Sequence, residues 1–307
     1  MNKDTPLVSI IVVTYNSSLY VEETLDSAFR QDYKNIELIV TDDCSTDNTV
    51  KIVSDWLEKH SHRFVRCGIF PAEKNGGIPS NVNKGLKVVK GKWVKVIAGD
   101  DILTDNCITD NLLFAAENKA SLIYSDLEWF LDTGLIIDHD KSEDIYRNAF
   151  NRLNSKGQLK FYARYPVFIN SSSWFYLLEK IKTIHDEEFK LLEDQPFIFN
   201  FLETGESIFY MDKITVRYRR HDKSVVISNN LNFLKEFNLC YKKYRLKYLS
   251  AKSFTDLFYM FRFHAFMAER WTSKYLLLKI LFFPVKKMVI ILSNVIKPDR
   301  GLKKYRK

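Results

Sequence analysis

The chain has 307 residues, 46% hydrophobic and 14% aromatic, with 46 lysines and arginines against 38 acids and a net charge of +8 that gathers towards the C-terminal end. That size allows one large domain or one domain with a helical extension, and the apolar content is ordinary for a globular protein. Cys44, Cys67, Cys107 and Cys240 lack metal-ligand spacing and suggest no disulfide framework, so a reducing, cytoplasmic compartment is expected. The apolar run after Pro6 is too short for a leader and is needed as a strand.

Val8 to Val13 is a β-branched run of the kind found in a strand buried on both faces, hence in the middle of a parallel sheet. Thr14-Tyr15-Asn16 stops it. Leu19 to Gln31 then carries Val21, Leu25, Ala28 and Phe29 at helical spacing, with Glu22, Glu23 and Asp26 on the other side. A second strand, Ile36 to Val40, ends on Asp42-Asp43-Cys44-Ser45-Thr46-Asp47. Strand, helix and strand within about 30 residues make a βαβ unit. Ligands of such sheets bind where the strands end, so both polar clusters are expected to line one crevice.

The alternation continues. A helix is predicted over 48–60 with Thr46 or Asp47 as N-cap, a strand over 64–69, and a glycine turn at Asn75-Gly76-Gly77-Ile78-Pro79. A helix over 79–89 follows, then a strand over 93–98 that ends at Gly99-Asp100-Asp101, a helix to about Asn118, and a strand over 122–124. From Glu128 to about Lys160 the pattern reads as loops and short helices over the sheet edge. Short strands are expected at 165–169, 208–210 and 214–218. Between them, 186–202 reads as helical, with Pro196 starting a helix and Glu193 and Asp194 in or before its first turn. From Asn232 the chain is helical, aromatic and basic. We divide it at 1–228, an α/β domain, and 229–307, a helical extension.

Two aspartate pairs at the ends of parallel strands are costly unless a cation or hydrogen-bond donor offsets them. Either pair alone reads as a strand-end turn with a helix cap. Both at one sheet edge make a site, suited to Mg2+ or Mn2+ bridging to a diphosphate.

Together these residues resemble a family 2 glycosyltransferase with the GT-A, Rossmann-like nucleotide-sugar-binding fold, a mixed but mainly parallel sheet flanked by helices. The resemblance rests on Val8 to Asn16, Asp42 to Asp47, Asn75-Gly76-Gly77-Ile78, Asn83-Lys84-Gly85, Gly99-Asp100-Asp101, Glu193-Asp194 and Tyr218-Arg219-Arg220-His221. It spans roughly Pro6 to Ser224. No one motif is specific; seven in the family's order and spacing are.

The resemblance implies roles for these positions. Thr14, Tyr15 and Asn16 would hold the uracil and ribose end of a nucleotide, Asp43 the base N–H and Asp100 the ribose hydroxyls, with Asn83 also on the nucleotide. Asp101 would ligate a divalent metal, Mn2+ or Mg2+, and His221 is a second candidate ligand. Arg219 would face the diphosphate. Asp194 would be the base for an inverting transfer, and Glu193 would contact the acceptor. The sequence departs from the family's pattern at Ala98, where an Asp-x-Asp is often completed, at Cys44, where glycine is usual, and at Val82, where an arginine often stands.

The implied activity is transfer of a hexose from a nucleotide diphosphate, UDP first, to a hydroxyl of a lipid-linked oligosaccharide of a bacterial surface polysaccharide such as O-antigen or capsule. A dTDP- or GDP-sugar donor, or a catalytically inactive nucleotide-sugar-binding protein, are the alternatives. A nucleotidyltransferase would carry a glycine-rich basic loop that Val8 to Asn16 lacks. The basic, aromatic C-terminal region, with Trp271, Tyr275 and the tail from Lys303, has no apolar stretch near the ~20 residues of a spanning helix. It reads as a surface for an anionic membrane, placing the protein peripherally on the cytoplasmic face. Nucleic-acid binding finds no motif. The oligomeric state is left open, a homo-oligomer included.

Overall fold

The computed structural model describes residues 5–137, 144–165, 167–181, 185–221 and 231–272. In chain order the first unit runs β1 (Val8–Thr14), α1 (Val21–Phe29), β2 (Ile36–Asp42), α2 (Thr49–His60), β3 (Arg66–Pro71), α3 (Ile78–Val88), β4 (Trp93–Ala98), β5 (Ile102–Leu103), α4 (Cys107–Asn118), β6 (Leu122–Leu131) and β7 (Ile136–Ile137). The helices α5 (Asp144–Asn151) and α6 (Ser155–Arg164) come next. They are followed by β8 (Phe175–Leu177), α7 (Asp194–Glu203), β9 (Ile208–Arg220), α8 (Leu231–Cys240) and α9 (Phe254–Thr272). Contacts divide the chain into two compact units. One is Met1–Asp140 with Ile169–Asn229; the other is Lys141–Phe168 with Asn230–Lys307. Residues 141–168, read from sequence with the first domain, thus group with the C-terminal helices.

The first unit is a mixed sheet in the order β3-β2-β1-β4-β8-β6-β9-β5, with β7 paired to β6. The pairs β1–β2, β1–β4, β2–β3 and β6–β9 are parallel, whereas β8 is antiparallel to both its neighbours. Val8, Ile10, Ile11 and Val12 of β1 and Leu38, Ile39 and Val40 of β2 are wholly out of water. Each such side chain stabilises the fold by about 1.5–3 kcal/mol. This explains why the apolar runs lie at the sheet's centre. The acid Glu37 of β2 is buried with them: it accepts from Ser9 Oγ at 2.6 Å and from Gly91 N at 2.8 Å, and pairs with Arg66 at 3.1 Å.

Three expectations are corrected. The strand predicted over 122–124 continues to Leu131, into a stretch read as loop. The two short strands at 208–210 and 214–218 are one strand, β9, whose pairing with β6 shifts register beside Ser125 and Asp126 and so carries the exposed Asp212 and Lys213. No strand forms over the described residues of 165–169. Tyr165 is used instead in an aromatic cluster, with ring centroids 4.6 Å from both Phe161 and Tyr259.

Candidate active site

Parallel pairing puts the ends of β1, β2 and β4 on one edge, with Thr14 opposite Asp42 and Val13 opposite Ala98. The backbone ties the loops together there: Asp43 N donates to Thr14 O at 3.0 Å, and Gly99 N to Val13 O at 2.9 Å. A Cβ at Gly99 would stand 2.7 Å from Thr14 Cγ2, so the corner before Asp100 tolerates no side chain. The two polar clusters share one sheet edge and are bonded to each other there, Asn16 N donating to Ser45 Oγ at 2.8 Å.

Within this edge the side chains divide between frame and crevice. Thr14 is buried and gives its hydroxyl to Asp42 Oδ2 at 2.8 Å. Asn16, in the left-handed region at φ 51°, accepts from Thr46 N at 2.9 Å. Tyr15 between them is exposed. Cys44 adopts φ 66° at the position where the family usually has glycine, the residue that takes such an angle without strain. Asp43 Oδ1 and Oδ2 accept from Gly76 N and Gly77 N at 2.7 and 2.8 Å. Gly77 has φ 88°, and a Cβ there would sit 2.7 Å from the Lys190 main chain. The glycine turn is therefore fitted to the segment that leads into Asp194.

Asp47 belongs to the frame. It accepts from Ser18 N, from Thr49 N and from Thr49 Oγ1, the last at 2.5 Å, while the N-cap position of α2 falls on Asn48, just after the Thr46 or Asp47 expected from sequence. Burial pushes its carboxyl up, but the hydrogen bonds from Thr49 and Ser18 prevail and hold it down at about 2. A depressed folded-state pKa stabilises above the unfolded value of about 3.9, and that stability is lost as pH falls through about 2. Asp47 is exposed, so the full linkage value is discounted to about 1 kcal/mol. Asp47→Asn is expected to lower the urea midpoint by that amount at neutral pH. The gap from wild type should close between pH 4 and 2.

Besides Asp43 and Asn16, whose side chains hold the loops, four further residues read from sequence as ligand contacts have side chains turned into the frame. Thr14 is one. Asn83 is wholly buried: its Nδ2 donates to His185 O at 2.8 Å and Glu187 Oε1 at 2.9 Å, and its Oδ1 accepts from His185 N at 2.8 Å. It pins the chain ahead of Asp194. Arg219 is buried between the rings of Tyr20 and Phe130, at 4.7 and 4.5 Å. Its Nε donates to Asp100 O at 2.9 Å, and its other nitrogens reach Glu23 and Asp132. It clamps the corner. Asp101 is also buried, its Oδ1 accepting from Arg219 N at 3.0 Å and its Oδ2 from Ser172 Oγ at 2.7 Å. Burial first, then the charge of Asp100, pushes its carboxyl well above the usual carboxylate range.

Asp100 and His221 face the other way. Asp100 Oδ2 lies 3.0 Å from His221 Nε2, and the imidazole is stacked on Tyr20 with ring centroids 5.1 Å apart. The hydrogen bond with Asp100 raises the histidine above its ordinary value, against burial, which lowers it. This oxygen and nitrogen pair is a donor set that Mn2+ or Mg2+ accepts beside diphosphate oxygens and water. Among the described residues no group of three histidine, cysteine or acidic side chains could hold a metal alone, so the remaining positions would belong to substrate and solvent.

On the far side of the crevice, Glu193 and Asp194 open α7. Glu193 Oε1 accepts from Ser171 Oγ at 2.7 Å, and Asp194 Oδ1 from Gln195 N at 2.6 Å. Tyr218 of β9 lies between the two sides. Burial, with the charges of Asp101, Asp100 and Glu193, pushes its phenol far above the ordinary range. Sequence reading gave Tyr218 no role, although it lies in the quoted Tyr218-to-His221 run. It also passed over Tyr20, Glu23, Asp132 and Ser172, which carry no motif and join the site only through long-range contacts.

The profile described as Glycosyl transferase family 2 matches residues 9–181. A protein of Rickettsia typhi named as an uncharacterized glycosyltransferase is 30% identical over 243 residues, 77% of this chain and 70% of its own. Glycosyltransferase GlyG of Streptococcus pneumoniae serotype 4 is 25% identical over 229 residues, 72% of this chain and 73% of its own. Among solved structures, S. aureus TarS 1–349 in complex with UDP-GlcNAc superposes with a TM-score of 0.58 at 24% identity, over 76% of this chain and 65% of that one. The mannosyltransferase PcManGT from Pyrobaculum calidifontis, in complex with GDP-Man and Mn2+, gives 0.59 at 15% identity, over 78% and 64%. This chain thus spans just under two thirds of both structures. These likenesses establish the GT-A fold.

Proposed function

The chain belongs to glycosyl transferase family 2, and from that premise we propose that it transfers a hexose, with inversion, from a UDP-sugar to a hydroxyl of a lipid-linked saccharide in surface-polysaccharide synthesis. The observation that supports this reading is one short turn that ties two pairs of acids together. Asp100 and Asp101 follow β4, Glu193 and Asp194 open α7, and the turn at Ser171 and Ser172 bonds to Glu193 on one side and to Asp101 on the other. The fold neighbours with UDP-GlcNAc and with GDP-Man and Mn2+ support a nucleotide-sugar donor.

In this mechanism the nucleotide lies along the ends of β1, β2 and β4 with its diphosphate at Asp100 and His221. Those two residues would hold a divalent cation, which when bound offsets the negative charge of the departing diphosphate. Asp194 takes the proton from the acceptor hydroxyl. The acceptor oxygen bonds to the anomeric carbon as the bond from that carbon to the diphosphate oxygen breaks, and the nucleoside diphosphate leaves on the opposite face. Glu193, held by Ser171, orients the acceptor.

The helical unit supports an acceptor at a membrane. Residues 229–307 hold 18 lysines and arginines against four acids, and α9 exposes Phe254, Leu257 and Phe261 at helical spacing on one stripe. Apolar residues flanked by cations suit an anionic interface. No helix among the described residues is long and apolar enough to cross a membrane. The basic stretch from 273 lies outside the described residues.

The test is diphosphate release from a panel of UDP-, dTDP- and GDP-sugars with Mn2+, Mg2+ or EDTA, with lipid-linked saccharides supplied in anionic or neutral vesicles. Release from one UDP-sugar, lost with EDTA and faster on anionic vesicles, is expected. Release from a GDP- or dTDP-sugar would move the donor. Nucleotide binding with no release from any donor would leave the chain a binding protein.

A further inference from the structure

Lys95 stands in the middle of β4, in register with Ile10 on one side and Phe175 on the other, and is wholly buried. Lysine is almost never taken fully out of water unless a partner compensates for the lost hydration. Its Nζ donates to the main-chain oxygen of Ser172 at 2.5 Å. The titratable side chains facing it are Asp101 and Cys107. Asp101 is reached through the same residue, because Ser172 Oγ donates to Asp101 Oδ2 at 2.7 Å. Ser172 lies in a single turn of 3-10 helix, Ser171–Ser173, closed by Asn170, whose Oδ1 accepts from Ser172 N at 2.8 Å. The neighbouring Ser171 Oγ holds Glu193 at 2.7 Å.

One short turn therefore grips the residue beside Asp100 and the residue beside Asp194, and a buried lysine Nζ fastens that turn to the central sheet. We infer that Lys95 is a positioning residue for the transfer step, setting the distance between Asp100 and Asp194 through the Ser171–Ser173 turn. The inference rests on the transferase reading above. Loss of the Nζ donor frees the turn, and Glu193 and Asp194 move with it. The donor corner keeps its own ties, since Arg219 holds Asp100 O and Asp101 without the turn.

Lys95→Met, which keeps the length of the side chain, and Ser171→Ala, on a half-exposed position, would be compared with the full-length wild type. The measurements are Kd for the nucleoside diphosphate of the donor the panel selects, kcat with acceptor, and the thermal midpoint. The expected result is a Kd within about twofold of wild type in both variants. kcat should fall roughly 10²-fold in Lys95→Met, the scale of an ångström of misplacement. In Ser171→Ala it should fall roughly tenfold, the share of one hydrogen bond to a charged group. Unchanged kcat in both, or loss of diphosphate binding in step with kcat, would overturn the inference and leave Lys95 a structural residue. If Lys95→Met does not fold, Ser171→Ala decides alone. A wild type that turns over no donor overturns the transferase reading and this inference with it, whereas an active wild type with unaffected variants overturns only the inference.

Discussion

Asp194→Asn is expected to lower kcat for sugar transfer by roughly 10²–10⁴-fold while nucleotide affinity stays within about twofold, the range a general base contributes. The substitution preserves shape. Asp194 Oδ1 accepts from Gln195 N at 2.6 Å, and an asparagine oxygen accepts in the same way. What it removes is the ability to take a proton. The variant also loses a negative charge at the N-terminus of α7, a change of about 0.3–1 kcal/mol in stability that does not touch the nucleotide. Glu193→Gln, by contrast, leaves an acceptor for Ser171 Oγ and is expected to act mainly on KM for the acceptor. Time courses of diphosphate release with acceptor present, for both variants and wild type, separate the two acids. Transfer retained in Asp194→Asn and lost in Glu193→Gln would exchange their roles.

The sheet and its crevice were legible because they follow from local pattern. The runs Val8 to Val13 and Ile36 to Val40 can only be central strands, and parallel strands put their polar ends on one edge. What was not legible depends on which way a side chain points once the strand has ended. Strand alternation stops at Ala98, so the sequence does not say which of Asp100 and Asp101 turns into the protein. That choice is made by Ser172 and by the Arg219 main chain, far away in the sequence. Asn83 was misread for the same reason. Its motif spacing is right, but its amide is taken up by the main chain at His185. Arg219 lies in a run of cations that reads as a phosphate site. Only the fold shows Glu23, Asp132, Tyr20 and Phe130 closing around it.

The metal role proposed for Asp100 in place of Asp101 leads to opposite outcomes for two adjacent substitutions. Asp101→Ala is expected to cost about 2–6 kcal/mol, because it leaves both Ser172 Oγ and Arg219 N without their buried acceptor. Asp100→Asn should cost under about 1 kcal/mol, since its side chain is 30% exposed and its partner is one histidine at 3.0 Å. Function should divide the other way. In Asp100→Asn, the gain in nucleotide affinity that Mn2+ brings should fall at least about tenfold, because an amide is a poor ligand for a hard cation. Urea unfolding gives the first pair of numbers, and titration of UDP with and without Mn2+ gives the second. A stable Asp101→Ala that had lost the metal effect, beside an Asp100→Asn that kept it, would return the metal to Asp101. The buried carboxylate would then have to leave both hydrogen bonds to reach the crevice.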